Sequence, residues 1–112
     1  MRSDADRLRD VLDAIFAIES RTGTGRDSFD SDPLIRVWVI HHLLILGEAA
    51  ARLSDDVTES TADIPWPKIV GLRNILVHQY FGIDHDLVWG IVVRELPDLK
   101  QRIERLLKSM SI

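Results

Sequence analysis

Arg73, Asn74, His78 and Tyr80 stand within one short segment, and their types suit RNA cleavage without a metal. In that chemistry a ribose 2′-hydroxyl attacks the adjacent phosphorus once its proton is removed. Imidazole serves as base or acid near neutral pH. A guanidinium stabilises the charge that develops on the phosphoryl oxygens. The segment reads Gly71-Leu72-Arg73-Asn74-Ile75-Leu76-Val77-His78-Gln79-Tyr80-Phe81-Gly82. On a helix turning about 100° per residue, Asn74 and His78 share a face about 40° wide, and Arg73 and Tyr80 lie about 20° apart. Arg73 and His78 are about 140° apart around the axis and about 7.5 Å apart along it. They cooperate only by converging on one groove, or with a second subunit supplying the missing half.

Spacing alone does not choose this site. With 11 Arg and 4 His in 112 residues, chance supplies about 0.4 matches per Arg-to-His spacing. Arg36 stands at a similar spacing from His41 and His42. Each residue also has a plainer reading. Arg73 reads equally as a surface cation paired with an acid. His78 reads as a helix-end residue favoured by the dipole, and Tyr80 as an amphipathic residue at the core edge. His41 and His42, amid apolar residues, read as satisfied buried or interface histidines. They are adjacent, whereas a metal pair on a helix wants an i, i+4 spacing. Glu48 is a carboxylate on a mostly apolar helix and needs an Arg or a backbone group as partner. Trp38, Trp66 and Trp89 read as core or dimer anchors rather than base-stacking platforms. Asp84 and Asp86 read as a cap and a solvated charge. No metal site and no cofactor is expected.

The elements that must position these residues are all helical. Leu8, Val11, Leu12, Ile15, Phe16 and Ile18 repeat at helical spacing, and Ser3 with Asp6 resembles a capping pair. The first helix is therefore expected from about Ser3 to Ser20, followed by a loop rich in Gly, Asp and Ser. Asp32-Pro33 starts a second helix, reaching about Leu53, apolar almost all round and thus the buried centre. A polar loop is expected over Ser54 to Ile64. Pro65-Trp66-Pro67 opens the helix that carries Arg73 and ends near His78 or Tyr80, with Gly82 as a stop. Asp84 caps a fourth helix. Pro97 predicts a kink or break near Leu96 and a last helix from Pro97 to about Ser109. Short connections between long helices predict an antiparallel bundle of four to five helices.

Composition bounds the rest. The length suits a single domain, 1–112. Hydrophobic residues at 46% supply a core. The absence of cysteine excludes a disulfide framework and thiolate zinc sites, and fits a cytoplasmic setting. Met1 to Asp10 shows no secretory pattern. The apolar run Val37–Leu46 falls short of the roughly 20 residues that span a bilayer, so no membrane partner is expected. The net charge is −4, so positive charge for a nucleic acid must be local or assembled from two subunits.

Beyond the motif, further stretches carry a resemblance. Arg73-Asn74-x-x-x-His78-x-Tyr80 resembles the R-x4-H-x-Y motif of the HEPN superfamily. The wider chain is similar to its HepT-like branch through Leu46-Gly47-Glu48-Ala49-Ala50, Ile64-Pro65-Trp66, Phe81-Gly82-Ile83-Asp84, Val88-Trp89 and Leu96-Pro97-Asp98-Leu99. The resemblance implies a helical bundle that forms a homodimer, with two motif helices lining a shared cleft. It implies an endoribonuclease toxin acting on RNA, with DNA not expected as substrate. Arg73 and His78 would be the catalytic pair and Asn74 a polar support. It also implies an MntA-like minimal nucleotidyltransferase antitoxin that transfers AMP from ATP to Tyr80. A phosphate placed there would repel or block RNA. Two other readings stand beside it: a non-catalytic dimeric module that serves the nucleotidyltransferase as partner or substrate, and a purely structural helical dimer.

Overall fold

The computed structural model describes residues 2–78, 82 and 84–110, and of His78 the backbone alone. Helix α1 spans Asp4–Thr22. The Ser3 hydroxyl accepts from the Asp6 N–H, and the Asp6 carboxylate accepts from the Ser3 N–H, which closes both ends of a capping box. Helix α3 spans Pro33–Ala51, with Pro33 in its first turn and the Asp32 carboxylate accepting from the Leu34 N–H. Helix α5 spans Trp66–His78. Helix α6, His85–Gly90, is capped by the Asp84 carboxylate, which accepts from the N–H groups of Asp86 and Leu87. It continues through a π turn, Ile91–Glu95, into α7, Leu96–Met110.

Two expected loops each hold a short helix. Helix α2, Arg26–Ser31, follows Gly25, whose φ of 102° is a conformation other residues rarely adopt. It is pinned by Phe29, which is buried against Trp89 with ring centroids 5.2 Å apart. Helix α4, Asp55–Ser60, starts from Ser54, whose hydroxyl accepts from the Val57 N–H. The kink or break expected near Leu96 takes the form of a π turn and does not end the helix. The Leu96 N–H donates to the Ile91 carbonyl, five residues back, so the helix widens by one π turn just before Pro97. A proline ring clashes with the carbonyl four residues earlier in a regular helix, and the wider turn relieves that conflict without ending the rod.

The described elements are all helical, and they form an antiparallel bundle. Trp38 Nε1, early in α3, donates to the Ala17 carbonyl late in α1. At the other end, the Ser54 N–H and hydroxyl donate to the Asp4 carboxylate. Helix α3 is the centre, packed against α1 on one side and α5 on the other. By length and composition it is apolar enough to cross a membrane, a property that core helices of soluble proteins share. The core gathers Leu8, Val11, Ile15 and Ile18 from α1, Val39, Leu43 and Leu46 from α3, Leu76 from α5, and Leu96, Leu99 and Ile103 from α7. Each such side chain contributes about 1.5–3 kcal/mol when fully buried.

Helix α3 is not buried all round, as its composition had suggested. Leu34, Val37, Trp38 and Ile45 form an exposed stripe at helical spacing, continued on α5 by Val77. Gly47 marks a close approach of α3 and α5. A Cβ there would lie 3.2 Å from the Arg73 Cβ and 3.4 Å from the Ile69 carbonyl oxygen.

Candidate active site

The close approach at Gly47 brings the next residue of α3, Glu48, against Arg73 on α5. Arg73 Nη1 donates to Glu48 Oε2. Glu48 Oε1 accepts from Arg52 Nε at 3.0 Å, one helical turn further along α3. One carboxylate thus holds two guanidiniums. The Arg73 hydrogen bond, then that of Arg52, keeps the Glu48 carboxyl below its ordinary pKa. Glu48 is therefore the charged acceptor at neutral pH, and a charge-assisted bond fixes the Arg73 side chain firmly. Most of the five guanidinium N–H donors of Arg73 remain for another anion.

Arg73 is half-exposed and faces an open cleft of about 420 Å³ between α1, α3 and α5. The cleft is lined by Arg7 and Asp10 from α1, His41 and Glu48 from α3, and Arg73 with Val77 from α5, among others. Asn74 is exposed on α5 and is not among the lining residues. It lies about 100° round the helix from Arg73, as the sequence geometry requires. His78 closes α5 by its backbone, and its side chain lies outside the described residues. Tyr80 also lies outside them, together with Gln79, Phe81 and Ile83.

The competing spacing of Arg36 with His41 and His42 resolves into structure. Arg36 Nη1 donates to the carbonyls of Phe29 at 2.9 Å and Asp30 at 2.5 Å, which ties α3 to α2. His42 packs against Trp38 with ring centroids 4.4 Å apart, and its Nε2 is buried with no hydrogen-bond partner among the described residues. The expectation that this histidine is satisfied is therefore corrected. Burial, reinforced by the neighbouring His41, holds the His42 pKa below its ordinary value. His41 is exposed at the cleft rather than buried. Trp66 is a core anchor, with Nε1 donating to Thr61 Oγ1 at 2.9 Å. Asp86 is not merely solvated, since it pairs with Arg26 and links α6 to α2. Among the described residues no group of three or more His, Asp or Glu side chains is placed to hold a metal ion.

The need of Glu48 for a partner was legible in the sequence, and so was its i, i+4 spacing to Arg52. Its pairing with Arg73 was not, because that depends on how closely two helices pack. Arg7 gave no signal at all, because only the fold brings α1 to the cleft.

Comparison with known proteins places these features in a wider group. The family described as ribonuclease HepT-like matches residues 11–106. A protein of Methanocaldococcus jannaschii, named a candidate RNase, is 41% identical over 98 residues, covering 87% of this chain and 90% of its own length. A protein of Thermococcus cleftensis, provisionally named ribonuclease HepT, is 35% identical over 108 residues, 96% of this chain and 98% of its own. A candidate RNase of Caldanaerobacter subterraneus is 31% identical over 110 residues, 97% of this chain and 98% of its own. No solved structure gives a significant match.

Proposed function

The chain belongs to the HepT-like ribonuclease family, and from that premise we propose that it is a metal-independent endoribonuclease, the toxin of a toxin–antitoxin pair. The observation that carries the reading is Arg73, held by Glu48 at the edge of an open cleft with donors to spare. Arg73 stabilises the charge that builds on the phosphoryl oxygens. His78 moves the proton: it takes the 2′-OH proton as the 2′-oxygen bonds to phosphorus, or gives one to the departing 5′-oxygen. The bond that breaks joins phosphorus to the 5′-oxygen. Asn74, one helical turn before His78, supports it. Cleavage needs both a base and an acid, and a second subunit is the natural source of the other.

Assembly as a homodimer fits the exposed stripe of Leu34, Val37, Trp38 and Ile45 with Val77 of α5, which borders the Arg73 cleft. Tyr80 is the regulatory residue. Its hydroxyl attacks the α-phosphorus of ATP in a reaction catalysed by a partner nucleotidyltransferase, forming a tyrosyl–AMP bond and releasing pyrophosphate. The added negative phosphate repels RNA from the cleft.

The test is cleavage of RNA by the purified protein in EDTA. Arg73→Ala lowers kcat by about 10²–10³ and His78→Ala by about 10²–10⁴. Full activity in both variants removes the catalytic assignment of Arg73 and His78, and no cleavage by the parent chain leaves a non-catalytic partner of the nucleotidyltransferase. With that enzyme and ATP, intact-mass spectra gain whole AMP units, and Tyr80→Phe gains none.

A further inference from the structure

Arg7 has no role in the reading above. It lies half-buried on α1 and forms the wall of the cleft facing the helices that carry Arg73 and His41. Its neighbours are engaged. Arg2 binds Asp10 at 2.5 Å, Arg9 binds Asp6 at 3.4 Å, and Arg52 and Arg73 share Glu48. Among the described residues, the Arg7 guanidinium has no ion pair and no hydrogen bond of its own. The two carboxylates that line the cleft, Asp10 and Glu48, are both already taken by other arginines. The lining residues and their ion-pair partners set four guanidiniums (Arg2, Arg7, Arg52, Arg73) against two carboxylates. That local surplus of two positive charges stands in a chain whose net charge is −4.

A guanidinium without a partner on a half-buried arginine, beside a second one that keeps free donors, is arranged for an anion with more than one charged group. We propose that Arg7 is a substrate-binding residue, which holds a backbone phosphate of the RNA strand next to the phosphate addressed by Arg73. The proposal rests on the ribonuclease reading and adds to it the direction of the strand across the bundle, from α5 over α3 to α1. A contact of this kind positions the strand and carries no base preference. It also accounts for how an acidic protein engages a polyanion: the charge is concentrated in one cleft rather than spread over the surface.

The experiment measures binding and cleavage separately. Binding uses a short 2′-O-methyl oligoribonucleotide, which has no free 2′-hydroxyl and cannot be cleaved. Cleavage uses the unmodified oligomer. Arg7→Gln is compared with Arg105→Gln, which removes the same charge from an exposed site on α7, and with Arg7→Lys, which retains the charge. Arg7→Gln raises Kd about tenfold and flattens the slope of log Kobs against log salt by about 0.7. Arg7→Lys restores most of the slope, and Arg105→Gln stays within about twofold of the parent chain. In cleavage, the loss from Arg7→Gln falls on KM more than on kcat. Equal effects of Arg7→Gln and Arg105→Gln, or an unchanged Kd and slope in Arg7→Gln, overturn the assignment while cleavage by the parent chain preserves the ribonuclease reading. Arg7-dependent binding without any cleavage does the reverse. No binding by the parent chain overturns both.

Discussion

Helix α5 has two grooves, one on each side, and they differ in how their charges are settled. The groove toward α6 and α7 is less open and mostly apolar, about 280 Å³, lined among others by Leu43, Leu46, Ile69, Leu72, Leu87 and Ile91. Its basic residues Lys68, Arg94 and Arg102 are balanced by three acids: Lys68 pairs with Glu95 and Arg102 with Asp63 and Asp98, while Arg94 is exposed and forms no ion pair among the described residues. The cleft toward α1 is wider and more open. It keeps Arg7 unpaired and Arg73 only partly engaged. Depth and apolarity mark the groove that holds the bundle together. Surplus charge marks the one suited to a polyanion.

Substitutions on the two sides should therefore separate stability from activity. Leu43→Ala, at the wall of the apolar groove, removes a fully buried side chain. It is expected to cost about 2–5 kcal/mol in denaturant unfolding while kcat/KM per folded molecule is unchanged. An activity loss beyond the folded fraction would mean that the two grooves are coupled. Gly47→Val tests the seam that both sides share. Branched methyl groups have no room where a Cβ already meets Arg73 and Ile69, so the expected cost is about 1–3 kcal/mol. Here activity should fall as well, because the helices that present Glu48 and Arg73 are pushed apart. Glu48→Gln acts on the open cleft alone. It keeps the volume and one acceptor oxygen but loses the charge that fixes Arg73. The expected result is a fall in kcat of roughly tenfold with little change in melting temperature, and partial recovery in Glu48→Asp. An unchanged or higher kcat would show that Glu48 does not position Arg73.

The smallest effect concerns pH. His42 has a folded pKa below its unfolded value, so the unfolded chain takes up a proton first as pH falls. Its contribution to stability is complete above about 6.5 and declines as pH drops toward the folded pKa. Glu48 behaves differently. Its depressed pKa keeps it charged through this window, and its pairing is lost only in acid below its ordinary value. Unfolding followed between pH 7.5 and 5.5 should show a modest loss that His42→Leu abolishes. A loss of the same size in that variant would assign the titration to another group.

Long helices were legible because their signals are local. The capping box at Ser3 and Asp6 and the Asp32-Pro33 start are read within four residues, and each begins a helix where expected. The short helices α2 and α4 were not legible. Six residues carry no amphipathic period, and their polar sequences match those of loops. Distant contacts hold them, such as Phe29 of α2 against Trp89 and Ser54, the cap of α4, on the Asp4 carboxylate. The site divides in the same way. Arg73, Asn74, His78 and Tyr80 were visible as residue types in one short segment. Which partners they meet depends on the packing of α3 and α1 against α5, which no local signal encodes.

The π turn at Ile91–Glu95 also sets the rotational phase of everything that follows it. Its five residues cover nearly the angle that four cover in an α-helix, so it absorbs one extra residue; winding the same residues as a regular α-helix would swing α7 by about 100°. Leu99 and Ile103 would then face water, and the charged edge formed by Glu104 and Arg105 would turn toward the core. A single-residue insertion on either side of Pro97 would cause a similar misphasing. The stretch between the Asp84 cap and Leu99 thus holds one residue more than a regular helix of the same phase, and a deletion that removes the π turn would leave the core face of α7 in place.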